Sequence, residues 1–559
     1  MTAPATTDRE AAVTARDSAA AGDSIAVATW TLVSRVTGVA KIAAIGAVLG
    51  PTFFGNAYQF TNSLPNLIYF GLLAGSLFSS LLVPALVEHV DAGNREASER
   101  VAGGFLGMTL VALLAGVPLA VVFGPVVLSL AATGAGTGAA AAAQEHVGRW
   151  LILMFIPQLF LYGVVGAATA AMNARRRFAL AAAAPAVENL GTIAVLAACA
   201  VIFGTGTRVD NVPTGELLLL GLGTTAAVAL HAAAQWWGAK RAGVRLVPRA
   251  GWRDPEVRVV VRRALPSMAQ AGLVAVQVMS LLVLANRVAG GVVAFQIALN
   301  FYFLAIALGA TPVALSLLPR LARMHVDGDV AEFRDTLVHG YALGLFIAIP
   351  AAVGYLGLAI PVARAISFGR MDTANGVMLV AGALATLSVA VVGQTTFMIA
   401  TYASYARKDT RSPLISMMLQ AVTCLGLASI ALAVHGTAVL VTLGLAYSTS
   451  IVVAALHLSA HLARELGPGQ ARAAPSLVKA SAGAAVMVGP AWLTAAAALA
   501  WIGPPLGSRV GILAAALVGV LVFLALQAVL RTPELAWLNS GLHQLRNRAR
   551  RTVVGISDA

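Results

Sequence analysis

Three ionisable residues stand well inside long apolar runs of this chain: Arg35, Lys41 and Glu188. A charge at the centre of a bilayer costs at least about 2.5–3.5 kcal/mol on insertion scales, so each needs a watery space or a partner. At about 100° per residue, Ser34, Thr37, Gly38 and Lys41 share one helical face, with Arg35 at its edge. The functional reading of this cationic stripe is a cavity wall that attracts a phosphate or pyrophosphate head group, for which a guanidinium offers bidentate donors. The other reading is that both residues snorkel, or pair with Glu188 inside a bundle. Glu188, beside Asn189, reads as a proton or cation site or as the partner of Lys41. His231 reads as a proton carrier or as a hydrogen-bonded structural histidine. Gly71 and Gly75 in GLLAG allow close helix contact or a hinge.

The elements that must hold these residues follow from composition. Of 559 residues 59% are hydrophobic and 11% charged, with a mean hydropathy of +0.84. Soluble chains are about 45–50% apolar and about 25% charged, which excludes both a soluble globular protein and a disordered one. Apolar runs at 25–49, 58–87, 101–131, 149–172, 179–204, 215–238, 264–286, 291–318, 337–360, 375–402, 413–434, 438–462, 476–502 and 508–530 predict fourteen transmembrane helices. The runs are too long and too uniformly apolar for barrel strands, so the class is an all-α polytopic bundle. Lys and Arg concentrate in alternate loops, which predicts that both tails are cytoplasmic. Residues 1–24 read as a flexible tail without a secretion signal, and 532–559 as an amphipathic cytoplasmic tail.

The net charge of +14 points to topology and anionic lipid, with no nucleic acid expected. The most basic loop, Lys240 to Arg263, is either a topology anchor or a docking site for anionic lipid or a partner. Cys199 and Cys424 lie in apolar runs and read as small hydrophobes, with no disulfide or metal site. There is no GxxxxGK[ST], HExxH or GxSxG string, so no cofactor and no ATP hydrolysis are expected.

The chain also repeats itself. Pro84 and Gly93 in LLVPALVEHVDAG lie 235 residues before Pro319 and Gly328 in SLLPRLARMHVDG, and Asn189-Leu190-Gly191 precedes Cys424-Leu425-Gly426 by the same 235. Spans 1–6 with their basic loop (25–263) and spans 7–12 (264–462) thus read as two parallel six-helix lobes, and 463–531 as two added helices. Parallel repeats of this kind are used by alternating-access carriers, with the substrate held between lobes near the midplane.

The string SRVTGVAKIAAIGAVLGPTFFGNAYQFTNSLPNLIYFGLLAGSLFSSLLVPALVEHV resembles the first two helices of the MviN/MurJ family of lipid II flippases, where SRxxGxxR is followed by KLPNxxR and a glycine-bearing run ending in VPxL. ISFGRMDTANGVML and YARKDTRSP resemble the family's stretch around span 10. The resemblance implies two lobes around a central V-shaped cavity, and transport of polyprenyl-pyrophosphate-linked peptidoglycan precursor across the bacterial cytoplasmic membrane without ATP. Cell-wall synthesis proteins would be partners. It also implies substrate contacts at Arg35 and Lys41, with Ser34, Thr37, Asn66, Tyr69 and Asn300 beside them. The chain departs from the family pattern where Ser63, Tyr69 and Asn300 replace basic residues and Asn56 replaces an acid. No acid lies in spans 7 or 11, where sodium-binding members carry theirs. A paralogue for another polyprenyl-linked glycan or amphiphile, a cation-coupled multidrug exporter and a non-transporting wall-assembly scaffold stay open as alternatives.

Overall fold

The computed structural model describes residues 5–69, 82–132, 139–467 and 474–537. Among them there is no strand, and the first half comprises α1 (Ala5–Leu49), α2 (Phe53–Ile68), α3 (Val83–Asp91), α4 (Arg95–Ala132), α5 (Ala139–Ala174), α6 (Phe178–Phe203) and α7 (Thr214–Arg241). The second comprises α8 (Pro255–Ala285), α9 (Gly291–Ala305), α10 (Thr311–Asp327), α11 (Val330–Gly357), α12 (Ala359–Ile366), α13 (Ala374–Ala406), α14 (Arg411–Ala428) and α15 (Thr437–Leu466). The last pair is α16 (Ala474–Ile502) and α17 (Leu506–Val529).

Twelve helices among the described residues are long and apolar enough to cross a membrane. The expected seventh span is represented by the shorter apolar run Gln270–Ala285. The expected second span passes through 70–81, which lies outside the described residues, as do Gly71 and Gly75 and most of the C-terminal basic tail. The first helix differs from expectation: α1 begins at Ala5, well inside the stretch read as a tail. That stretch is rich in alanine and holds no proline after Pro4, so nothing in its backbone interrupts a helix. The eighth span is one apolar stretch, Gly291–Asp327, with a π-helical turn at Ile306–Ala310 between α9 and α10.

The repeat read from the strings is present as backbone geometry. After α3 the N–H groups of Gly93 and Asn94 donate to Val90 O and His89 O; after α10 those of Gly328 and Asp329 donate to His325 O and Met324 O, each partner 235 residues on. Gly93 and Gly328 take φ of 69° and 75°, where a side chain would be strained. The next helix is then capped alike, Asn94 Oδ1 accepting from Ala97 N at 3.0 Å and Asp329 Oδ1 from Glu332 N at 2.9 Å.

The two halves share one apolar core, in which Ile45, Leu49, Phe54 and Tyr58 are continuous with Phe295, Leu299, Leu384 and Leu440. A second cluster, from Leu86 through Phe105 to Tyr162 and Val228, lies within the first half. Helices α16 and α17 dock outside, where Phe523 meets Phe346 of α11 at 5.2 Å.

The basic loop is strapped across α4. Arg249 N donates to Gly103 O at 2.9 Å, and a Cβ at Gly107 would lie 2.0 Å from Arg249 O. Gly107→Leu is therefore expected to displace the strap and lower the melting temperature in detergent. Gly426→Ala, where nothing lies within 4 Å of the added Cβ, should leave it unchanged.

Candidate functional site

Helix α1 packs along α6 because its inward face is small. Asn189 Nδ2 of α6 donates to Ser34 O and to Thr37 Oγ1, both at 3.2 Å, and reaches over Gly38. Ser34 and Thr37 thus border the contact of α1 with α6, each part-exposed. Lys41 continues this face one turn on and meets Glu188: Nζ donates to Oε1 at 3.3 Å, with the two side chains 13% and 10% exposed. Arg35, at the edge of the stripe, is exposed and makes no ion pair among the described residues.

Glu188 is the centre of a polar cluster drawn from five helices. Its other oxygen, Oε2, accepts from His231 Nδ1 of α7 at 2.9 Å. The Tyr162 hydroxyl of α5 lies 3.1 Å from Glu188 Oε1 and 3.0 Å from Asn66 Oδ1 of α2, so its single proton serves one of them at a time. Tyr69 stacks on Tyr162 with ring centroids 4.9 Å apart. One turn along α7, Gln235 Nε2 faces His231 Nε2 at 3.5 Å and donates to Ala181 O at 3.2 Å. The carboxylate therefore holds one cation, one imidazole and one phenol, and the pairing reading of Lys41 is the arrangement present.

Of the sequence-predicted residues, Lys41, Glu188, His231, Asn66 and Tyr69 come together. Asn300 does not: it lies on α9 and donates to Gln296 O of its own helix at 2.9 Å. Tyr162 and Gln235 were not foreseen, since a tyrosine or glutamine within an apolar run carries no mark of its partner. Glu216 was not foreseen either. It is 1% exposed in the first turn of α7 and accepts from Thr207 Oγ1 at 3.0 and 3.1 Å. A helix N-terminus favours such a carboxylate. The second half has a neutral counterpart, in which Tyr302 donates to Gln394 Oε1 at 3.1 Å and accepts from Tyr447. No group of three or more His, Cys, Asp or Glu side chains suited to a metal occurs among the described residues.

The halves are hydrogen-bonded to each other at the end opposite the basic loops. Asn56 Nδ2 donates to Val288 O at 2.8 Å and Asn56 Oδ1 accepts from Val292 N at 3.0 Å. Gln144 Nε2 donates to Asn286 Oδ1 at 2.9 Å, Gln296 Nε2 to Ser63 Oγ at 2.9 Å, and Arg370 Nε to Thr205 O at 3.1 Å. At the basic end, α3 and α4 reach the start of α8 through His89 and Arg100, which pair with Glu256 at 2.7 and 3.4 Å.

A duplicated helical bundle, its halves sharing one apolar core and a charged cluster lying inside the first, defines a multi-pass membrane transporter fold. A solved structure titled an inward-facing conformation of a multidrug resistance MATE family transporter of the MOP superfamily matches at a TM-score of 0.61 and 16% identity, covering 79% of this chain and 98% of that one. Within that fold the chain belongs to the lipid II flippase MurJ family, whose model matches residues 45–506. A probable lipid II flippase MurJ of Haemophilus influenzae is 26% identical over 400 residues, covering 68% of this chain and 75% of the relative. The lipid II flippase MurJ of Burkholderia cenocepacia is 27% identical, covering 70% and 74%. A solved structure of lipid II flippase MurJ in an inward closed conformation matches at a TM-score of 0.70 and 16% identity, covering 90% of this chain and 98% of that one.

Proposed function

We propose that this chain carries lipid-linked peptidoglycan precursor, lipid II, from the inner to the outer leaflet of the bacterial cytoplasmic membrane by alternating access, without ATP. The observation that carries the reading is family membership over residues 45–506, with duplicated halves that are hydrogen-bonded to each other at the end opposite the basic loops. With the basic loops and both termini cytoplasmic, the end held by Asn56, Gln144 and Arg370 faces outward. Arg35 and Lys41 are the cations offered to the pyrophosphate, Arg35 exposed and without an ion pair among the described residues, and Lys41 once released from Glu188. Asn66 and Tyr69, which meet the Glu188 cluster through Tyr162, are further candidates for contact with the head group. Moving a net anion outward draws about 2.3 kcal/mol per charge from each 100 mV of potential. Anionic lipid at the 240–263 loop and wall-synthesis proteins complete the expected partners.

The loss of basic residues at Ser63, Tyr69 and Asn300 favours a second reading, a paralogue for another polyprenyl-linked glycan. Complementation separates the two. In cells depleted of their lipid II flippase, the native chain is expected to restore growth. Arg35→Ala and Lys41→Ala, at equal membrane abundance, are expected to restore less than about a tenth of it, in line with loss of a charge-assisted bond worth about 1.5–3 kcal/mol. No rescue by the native chain would favour the paralogue.

A further inference from the structure

The Glu188 cluster contains more than an ion pair. Its two oxygens are assigned to different partners, Oε1 to Lys41 on α1 and Oε2 to His231 on α7, so two cationic groups can share one carboxylate. His231 donates through Nδ1, which leaves Nε2 to accept from Gln235. Gln235 is 1% exposed, and its Oε1 has no hydrogen-bond partner. Turning that amide over would present Oε1 to an Nε2–H, which only the imidazolium has in this setting. A spare buried acceptor is thus one amide reversal away from where a second proton on His231 would point.

Among the described residues the groups facing the His231–Glu188 pair come from four helices besides α7, and include the neutral Tyr58 of α2, bonded to Thr224 of α7. From α6 comes Glu188; from α1, Lys41 through Glu188; from α5, the neutral Tyr162; and from α2, Tyr69 stacked on Tyr162. Arg35 lies on the exposed edge of α1. With His231 neutral, Lys41 and Glu188 balance. An anionic head group that draws Lys41 away leaves Glu188 buried and uncompensated, which is strongly unfavourable.

We propose that Glu188 is a charge-exchange site: a pyrophosphate that takes Lys41 is matched by a proton taken up on His231, so that head-group binding and proton binding favour each other. The proposal rests on the lipid-pyrophosphate reading above. One O–H bond of a solvent hydronium ion breaks, leaving water, and one N–H bond forms at His231 Nε2. Gln235 reverses its amide to accept that proton, giving up its bond to Ala181 O, and the Lys41 ammonium exchanges a carboxylate for a phosphate oxygen. By linkage the effect is reciprocal.

The test uses the full chain in nanodiscs with farnesyl pyrophosphate as the probe, titrated between about pH 8 and about pH 5.5, the range in which an imidazole charges. The native protein is expected to bind about 10-fold more tightly at the acid end. His231→Gln should lie within about 2-fold across the range once the probe's own titration, common to both, is divided out. Glu188→Gln, which releases Lys41, should bind tightly at both ends. A pH-indicator dye in weak buffer should report close to one more proton taken up per ligand by the native chain than by His231→Gln. Should His231→Gln not fold, Gln235→Leu carries the same test by removing the acceptor for Nε2–H. A native pH profile retained in the folded variant, or Glu188→Gln binding no more tightly than native at pH 8, overturns the exchange and leaves the flippase reading standing. No binding of the probe by native and Glu188→Gln proteins alike overturns both.

Discussion

Glu188→Ala is expected to be among the most destabilising single substitutions in the membrane-buried part of the chain, lowering stability by about 3–5 kcal/mol. Three donors lose their acceptor at once: Lys41 Nζ, His231 Nδ1 and, for half its bonding, the Tyr162 hydroxyl. Lys41 is the costliest, because an ammonium 13% exposed has neither enough water nor another anion among its described neighbours. Lys41→Met should cost less, since His231 and Tyr162 still serve the carboxylate. Removing both charges, in Lys41→Met with Glu188→Leu, should recover most of the loss, because replacing a buried pair by apolar groups of similar volume is close to neutral. The measurement is a double-mutant cycle on melting temperature in detergent, closed by Lys41→Met, Glu188→Leu and the pair together. A double variant less stable than Glu188→Ala would show that Lys41 and Glu188 contribute independently, and the pairing would lose its energetic meaning. The same double variant should fail in complementation despite its stability, which separates the architectural contribution of the pair from its role toward substrate.

Much of this was legible in the sequence, for identifiable reasons. The 235-residue repeat was readable because it is carried by glycine and capping residues, whose backbone demands are local: Gly93 and Gly328 turn alike, and Asn94 and Asp329 cap alike. The spans were readable because hydrocarbon admits few sequences. The stripe of Ser34, Thr37, Gly38 and Lys41 was correctly placed on one face, since helical spacing fixes which residues share a side. Spacing along one helix does not fix what that side looks at, and here it looks at α6. Asn189 closes on the small residues, and Glu188 takes the charge. Tyr162 and Gln235 escaped notice for the same reason: their meaning is given by helices far away in sequence. The chain's departures from the family pattern at Asn56 and Ser63 looked like missing charges. In the fold both residues bond across the halves, Asn56 to Val288 and Val292 and Ser63 to Gln296.

That placement makes Asn56 the position from which the closed end is most easily loosened. Its amide is fully buried, gives a proton to Val288 O and takes one from Val292 N, so one side chain of the first half satisfies two backbone groups of the second. Asn56→Ala leaves both buried groups unpaired in the closed form, at about 1–3 kcal/mol each. When that end opens, water reaches them and the penalty disappears. The substitution therefore acts on the difference between the two forms: a shift of about 2–6 kcal/mol changes their ratio by roughly 30-fold to about 10⁴-fold. Spin labels at Asp210 and His435, both exposed and on opposite halves, would report it as a longer distance distribution. Cys199 and Cys424 are buried and free and would be replaced first. Asn56→Asp makes the complementary case. It keeps the acceptor for Val292 N, sets a carboxylate against Val288 O, and should open the end further as pH rises. An unchanged distance in both variants would mean that Gln144–Asn286, Gln296–Ser63 and Arg370–Thr205 hold the end shut without Asn56. The energetic step between the two forms would then lie in those contacts and in the apolar core that α2 and α9 share.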